Sequence, residues 1–245
     1  MLPQYRRVGE GPPLVYVSGV EGTGKLFYRQ EEDLARDHTV ISFAMRGEGR
    51  YGMDALVADL AAIVRDAGFE RATFLGESFG GMLVMASALE HPSMFERLIL
   101  VNTFPYFKQR AKIRAGVALF TVLPYSLMKA HRTRAARHVL FSPDVGDEDR
   151  RLFREHTRVV PYEGYVSRMR IIRDTDLRPR LAEIKAPALV VAGTADRLLD
   201  SVWAAKILGE SLPRARVKLL EGTGHTALLS GRVRVRDWLA ELEEI

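Results

Sequence analysis

Thr73-Phe74-Leu75-Gly76-Glu77-Ser78-Phe79-Gly80-Gly81-Met82 is the stretch that decides the fold. A short run rich in β-branched and aromatic residues ends at Gly76, and a helical pattern begins after Gly80. Between them stands Gly-Glu-Ser-Phe-Gly, which fits G-x-S-x-G, a tight strand-to-helix turn with a serine at its apex. Such a turn lifts the Ser78 hydroxyl clear of the sheet. Side chains two positions to either side would strike the neighbouring strand and helix, and Gly76 and Gly80 relieve that crowding. The helix that follows aims its free N–H groups and partial positive charge at the serine oxygen. The same pentapeptide also arises in glycine-rich turns whose serine is inert. The rest of the chain therefore has to supply an acid, a base and a loop of backbone donors.

Working outward, short apolar runs predict strands over 14–18, 39–43, 72–75 and 98–102. A short helix is predicted over 27–36. A longer one starts with Asp54 as N-cap and carries Leu56, Val57, Leu60, Ile63 and Val64 as one buried stripe, ending near Gly68. The helix after the serine covers 79–90, and Pro92 lies just beyond it. Alternating short apolar strands and helices predict an α/β fold with a parallel sheet covered on both faces. Such sheets bind ligands at the carboxyl ends of their strands, where 18–24, Ser78 and Asn102 all fall.

The loop Gly19-Val20-Glu21-Gly22-Thr23-Gly24-Lys25 has two readings. Gly19, Gly24 and Lys25 match the phosphate-loop pattern G-x-x-x-x-G-K. However, Leu26 stands where a hydroxyl would ligate Mg²⁺, and no apolar strand ends in an acidic pair to hold that ion. In the other reading the glycines let the backbone approach a substrate, and the N–H groups of Val20 and Phe79 together bind a developing oxyanion.

Beyond residue 103 the rhythm changes. Residues 104–180 show no clear strand and hold 17 Lys/Arg against 8 Asp/Glu, whereas the whole chain is only +5. The segment is rich in aromatics: Phe104, Tyr106, Phe107, Phe120, Tyr125, Phe141, Phe153, Tyr162 and Tyr165. It reads as helices inserted over the strand ends, broken near Pro143-Asp144 and Gly146-Asp147. Some aromatics could line an acyl pocket, and more of them would pack the helices onto the sheet. The excess charge reads first as solvated helix faces, with a partner surface as the alternative. Strands resume at 188–193 and 216–220. The first runs into Thr194-Ala195-Asp196-Arg197 and the second into Glu221-Gly222-Thr223-Gly224-His225. A last helix turns Val233, Val235, Trp238, Leu239 and Leu242 inward.

At 245 residues, 47% hydrophobic and 27% charged, the chain suits one large globular domain. With no cysteine it has neither disulfides nor a thiol nucleophile. No apolar run reaches the ~20 residues that span a bilayer, and no signal peptide is legible. A cytoplasmic protein without stable membrane insertion is the expectation.

Taken together, the chain resembles the α/β-hydrolase superfamily over nearly its whole length. The resemblance implies a core of residues 1–103 and 181–245 with a helical cap of 104–180. It also implies a Ser–Asp–His triad in that chain order, matched here by Ser78, Asp196 and His225. Asp200 is the alternative acid; Asp196 is preferred because it lies nearer the strand end. Two positions depart from many relatives: Ser18-Gly19 replaces His-Gly at the glycine loop, and Ala44 stands where an aspartate is common. Relatives that open epoxides or remove halides use an aspartate nucleophile, which Ser78 argues against. The other histidines, His38, His91, His131, His138 and His156, read as lying at element ends or solvated, no pair has zinc spacing, and Glu77 receives no role. The implied activity is hydrolysis of a carboxylic ester through an acyl-enzyme, with a small-molecule acyl ester or thioester as substrate and no cofactor or metal.

A second reading keeps the acyl-enzyme and changes the donor or acceptor. Residues 19–24 are similar to the glycine loop of phytyl-ester-synthase-like acyltransferases, type II thioesterases carry a comparable loop, and a basic cap suits a phosphate-bearing thioester. A non-catalytic binder on the same fold is a third reading. A nucleic-acid binder rests only on the basic balance, with no recognised motif beside it.

Overall fold

The computed structural model describes residues 2–122, 126–127 and 139–245. Its strands are β1 (Tyr5–Val8), β2 (Pro13–Val17), β3 (Thr39–Phe43), β4 (Ala72–Glu77), β5 (Phe95–Val101), β6 (Ala188–Gly193) and β7 (Ala215–Leu220). They form one sheet in the order β1-β3-β2-β4-β5-β6-β7. Only β1 runs antiparallel to its neighbour β3; every other pair is parallel.

Side chains alternate across each strand, so every central strand feeds two apolar layers. Val15, Phe74, Leu98 and Val190 enter one layer, while Tyr16, Leu75, Ile99 and Val191 enter the other. Helices α2 (Met53–Asp66) and α3 (Phe79–Glu90) cover the first face. Helix α1 (Tyr28–Leu34) covers the second, through Leu34. Burial on both faces explains why these strands read as continuous apolar runs rather than alternating ones. Helix α3 is buried over Phe79 to Ala88 with no polar stripe, as a helix clamped in the middle of the molecule must be.

Between β5 and β6 lie α4 (Arg110–Val122), α5 (Asp147–His156) and α6 (Tyr162–Asp174). Among the described residues of 104–180 there is no strand, only an isolated antiparallel bridge from Tyr106 to Asp176 near the two ends of the segment. The expected break near Gly146 is the N-cap of α5. Two more helices close the chain, α7 (Ser201–Ser211) on the first face and α8 (Val235–Glu243) on the second.

Several boundaries differ from expectation. Gly52, not Asp54, is the N-cap of α2, which puts Asp54 inside the first turn, where a carboxylate still favours the helix dipole. Helix α1 is shorter than 27–36. Strand β5 begins at Phe95, because it stays paired with β4 through a register shift at Ala72/Thr73. Among the described residues, no helix is long and apolar enough to cross a membrane.

Candidate active site

Ser78 sits between β4 and α3 at φ 55, ψ −122, a conformation that costs a non-glycine residue energy and survives only where its surroundings impose it. The clamps are identifiable. The Ser78 N–H donates to the Val101 carbonyl at 2.9 Å, and the Thr103 hydroxyl donates to the Ser78 carbonyl at 2.5 Å. The turn has no room for side chains at its flanks. A Cβ at Gly80 would lie 2.0 Å from the Val17 carbonyl oxygen, and one at Gly76 would lie 2.6 Å from the Gly81 Cα.

His225 and Asp196 come from the loops after β7 and β6. His225 Nδ1 lies 2.7 Å from Asp196 Oδ2, and both side chains are almost fully buried. Asp196 Oδ1 accepts the N–H groups of Leu198 at 2.8 Å and Leu199 at 3.0 Å, and Oδ2 also accepts the Ser201 hydroxyl at 2.6 Å. A carboxyl group offered this many donors is ionised, so His225 Nδ1 is the donor and its Nε2 is left as an acceptor. Burial alone would raise the Asp196 pKa, but the His225 charge and these hydrogen bonds outweigh it and hold the pKa low. Burial likewise opposes the charged form of His225, yet the Asp196 charge and hydrogen bond, with Glu77 nearby, lift its pKa above the ordinary imidazole value. Asp200 does not compete. It is the N-cap of α7, accepting the Trp203 N–H at 3.3 Å, and half-exposed it pairs with Lys108.

Ser78 and His225 line the same cavity, of about 190 Å³, with Gly19, Val20, Glu21 and Glu77. Its apolar wall is Leu26, Phe120, Val139, Leu140, Phe153 and Leu198, and Tyr165 also lines it. The glycine loop lies against the serine: a Cβ on Gly19 would stand 3.9 Å from Ser78 Oγ. Among the described residues, neither the Val20 nor the Phe79 N–H donates a hydrogen bond. Leu26, at the position where a phosphate loop needs a hydroxyl, is buried with Val145, Phe153 and Leu229. Of the aromatics between β5 and β6, Phe120, Phe153 and Tyr165 reach the cavity, whereas Phe104, Tyr106 and Phe107 meet around Trp203 and Lys108. Tyr125, His131 and His138 lie outside the described residues. His156, expected to be solvated, is partly buried with its ring 5.6 Å from Tyr28. No group of three or more His, Asp or Glu among the described residues is placed to hold a metal ion.

Two residues at the site had no assigned role. Asn102, at the end of β5, takes φ 45. Its amide donates to the carbonyls of Gly224 at 3.1 Å and His225 at 2.8 Å, and its oxygen accepts the Gly193 N–H at 2.7 Å. It thus ties together the loops that carry Asp196 and His225. The available signal was a lone amide closing an apolar strand. Glu77 is buried beside Ser78, lines the cavity and accepts the Tyr16 hydroxyl at 3.0 Å. Burial first, with the Asp196 charge, raises its pKa to about 7 against the pull of His225 and Tyr16. Of the two positions that depart from many relatives, Ser18, at the glycine loop, is occupied locally: its hydroxyl accepts the Gly24 N–H at 3.3 Å.

A mostly parallel α/β sheet with a strained serine after its central strand, and a buried Asp–His pair after two later ones, fits the α/β-hydrolase architecture. A family model described as the α/β hydrolase fold matches residues 12–231, and the chain belongs to that family. An Agrobacterium fabrum protein provisionally named carbamate hydrolase RutD is 28% identical over 247 residues, covering 90% of this chain and 88% of that one. A hydrolase from Pseudomonas aeruginosa PA01 superposes with TM-score 0.79 at 25% identity, over 98% of this chain and 91% of that one. The esterase EaEST from Exiguobacterium antarcticum reaches TM-score 0.87 at 20% identity, over 98% and 95% of the two chains, and shows the likeness of fold.

Proposed function

We propose that the protein is a serine hydrolase that cleaves a small carboxylic ester through an acyl-enzyme. The observation that carries this is Ser78, held at positive φ in a cavity it shares with a His225 that is bonded to buried Asp196. Ser78 attacks the acyl carbonyl as His225 Nε2 takes its proton. Asp196 fixes the tautomer and stabilises the imidazolium. The free N–H groups of Val20 and Phe79 receive the negative charge on the carbonyl oxygen. His225 then gives its proton to the leaving alcohol, and water repeats the sequence to release the acid. Each role is filled by the chain's own groups, so the reaction as written calls for no metal or cofactor. Residues 104–180 serve as the cap, with Phe120, Phe153 and Tyr165 facing the acyl group. At about 190 Å³ the cavity is smaller than the ~300–1,000 Å³ of drug-sized ligand pockets, which favours a short acyl chain.

The test is labelling by a fluorophosphonate probe beside hydrolysis of p-nitrophenyl esters of increasing chain length, for wild type and Ser78→Ala. Labelling and turnover should both vanish in S78A, and acetate or butyrate should outrun longer esters. The likeness to a provisionally named carbamate hydrolase puts a carbamate in the same panel, since an acyl-enzyme of that kind uses the same groups. Labelled wild type that turns over a thioester or an alcohol acceptor, but no ester, would move the assignment to thioesterase or acyltransferase. Folded wild type that never labels would overturn it.

A further inference from the structure

One of the described cations between β5 and β6 is unlike its described neighbours. Arg168, on α6, is 1% exposed, whereas Arg151, Arg173, Arg178 and Arg180 lie at the surface in ion pairs with nearby carboxylates. Its guanidinium is spent on the glycine loop and the loop after β3. Nε donates to the Val20 carbonyl at 2.7 Å and Nη2 to the Glu21 carbonyl at 3.3 Å. Nη1 donates to the Arg46 carbonyl at 3.2 Å and to the Tyr51 hydroxyl at 2.8 Å. Tyr51 in turn donates to the carbonyls of Arg46 and of Gly164, the latter on α6 itself.

The glycine loop is a turn, closed by the Gly22 N–H donating to the Gly19 carbonyl at 2.9 Å. A peptide is a rigid trans plane, so holding its carbonyl fixes the direction of the N–H on the opposite edge. The Gly19–Gly22 bond therefore sets the Val20 N–H. It can do so only while the rest of the turn stays in place: Arg168 holds the Val20 and Glu21 carbonyls, and the Met45 N–H holds that of Gly22 at 2.9 Å. Gly22 is cut to admit the guanidinium: it has φ +65, and a Cβ there would lie 2.8 Å from Arg168 Cζ. A buried guanidinium is costly to desolvate unless its donors are matched, so a chain that needed only packing here would place an apolar side chain.

We propose that Arg168 is a positioning residue: it braces the turn 19–22 from the cap side so that the Val20 N–H faces the oxygen of the substrate bound at Ser78. The inference rests on the serine-hydrolase reading above. It makes the cap part of the oxyanion site as well as the wall of the acyl pocket. It also accounts for a glycine loop that works without the His-Gly of many relatives.

The experiment compares wild type, Arg168→Met, Gly22→Ala and the exposed control Arg154→Met, each first shown to be folded by its melting transition. For the fastest p-nitrophenyl ester, R168M should lose about 10–100-fold in kcat with KM within about threefold, since a donor lost or misaimed acts in the transition state. Its fluorophosphonate labelling rate and its affinity for a trifluoromethyl ketone should fall by the same factor as kcat/KM. Added guanidinium at millimolar concentration should restore part of the labelling rate. G22A keeps Arg168 but displaces it, so it should show the same pattern and carries the test if R168M does not fold. R154M should match wild type. R168M or G22A that is folded, less stable and labels as fast as wild type overturns the inference and leaves the serine-hydrolase reading standing. Wild type that neither labels nor turns over defeats that reading, and this inference with it.

Discussion

Glu77 sits next to the serine with its carboxyl inside the protein and the Tyr16 hydroxyl as its hydrogen-bond donor. Chiefly because of burial, it holds its proton up to about pH 7, against 4.5 for an ordinary glutamate. Below 4.5 both folded and unfolded chains are protonated there; between 4.5 and 7 only the folded chain is. The folded state binds more protons in that window, so stability falls as pH rises through it, by about 3 kcal/mol in all. Glu77→Gln keeps the shape and removes the titration. The stability of E77Q relative to wild type should therefore grow from pH 5 to pH 8, read as the difference in urea midpoints at the two values. A difference that stays constant with pH would mean that Glu77 is ionised throughout, and that its carboxylate is solvated from the cavity. The same group bears on the candidate site, because Asp196 and Glu77 both favour the protonated form of His225.

At the scale of elements, the site is built by strand ends that have to keep step. The loops after β6 and β7 support each other through the Thr194 N–H on the Leu220 carbonyl and the Ala195 N–H on the Thr223 carbonyl, both at 3.0 Å. Asn102 locks that pair of loops to β5. Asn102→Ala should cost about 2–4 kcal/mol, since three buried hydrogen bonds go and the Gly193 N–H is left without its acceptor. Because the loops carrying Asp196 and His225 both loosen, kcat should fall more than KM rises. Asn102→Asp keeps an acceptor for Gly193 but sets a carboxylate oxygen against the Gly224 and His225 carbonyls, so it should recover none of that stability. If N102A melts with wild type and keeps its kcat, the loops position themselves without β5. These elements also mark what could be read in the chain. The serine turn, the central strands and the places of Asp196 and His225 after β6 and β7 are legible because their residues act locally, through glycine sterics and unbroken apolar runs. Strand β1, Tyr-Arg-Arg-Val, is not, because an edge strand half in solvent carries no apolar run. Helix α7 is not predicted from the sequence, in which its cap Asp200 reads as an alternative acid. Arg168 is illegible for a different reason. It is one of 17 cations between residues 104 and 180, and only the fold brings the Val20 and Glu21 carbonyls to it.

For the whole molecule, the distribution of buried apolar surface sets which parts open first. The sheet is clamped between two large layers. Helices α4 and α6 join the first of these through Ile113, Val117, Ile171 and Ile172. Helix α5 has no such share. Its one buried apolar side chain is Phe153, in a small cluster with Leu26, Val145 and Leu229, supplemented by Tyr28 and Arg29 bonding to Asp149. Fully burying one such side chain is worth only about 1.5–3 kcal/mol, far less than the opening of a central strand exposes. Local opening should therefore be graded. In native-state hydrogen exchange, α5 should lose protection first, α4 and α6 later, and β2, β4 and β5 only with global unfolding. Arg168 and Tyr51 stitch α6 to the glycine loop and the loop after β3, so α6 should outlast α4. Phe153→Ala should speed exchange across 147–156 while leaving the central strands nearly as slow as before. Since Phe153 also walls the cavity, that variant should accept longer acyl chains. Exchange at a single rate across the strands and these helices would instead mean that they unfold as one unit. Substrate entry would then need no separate opening of α5.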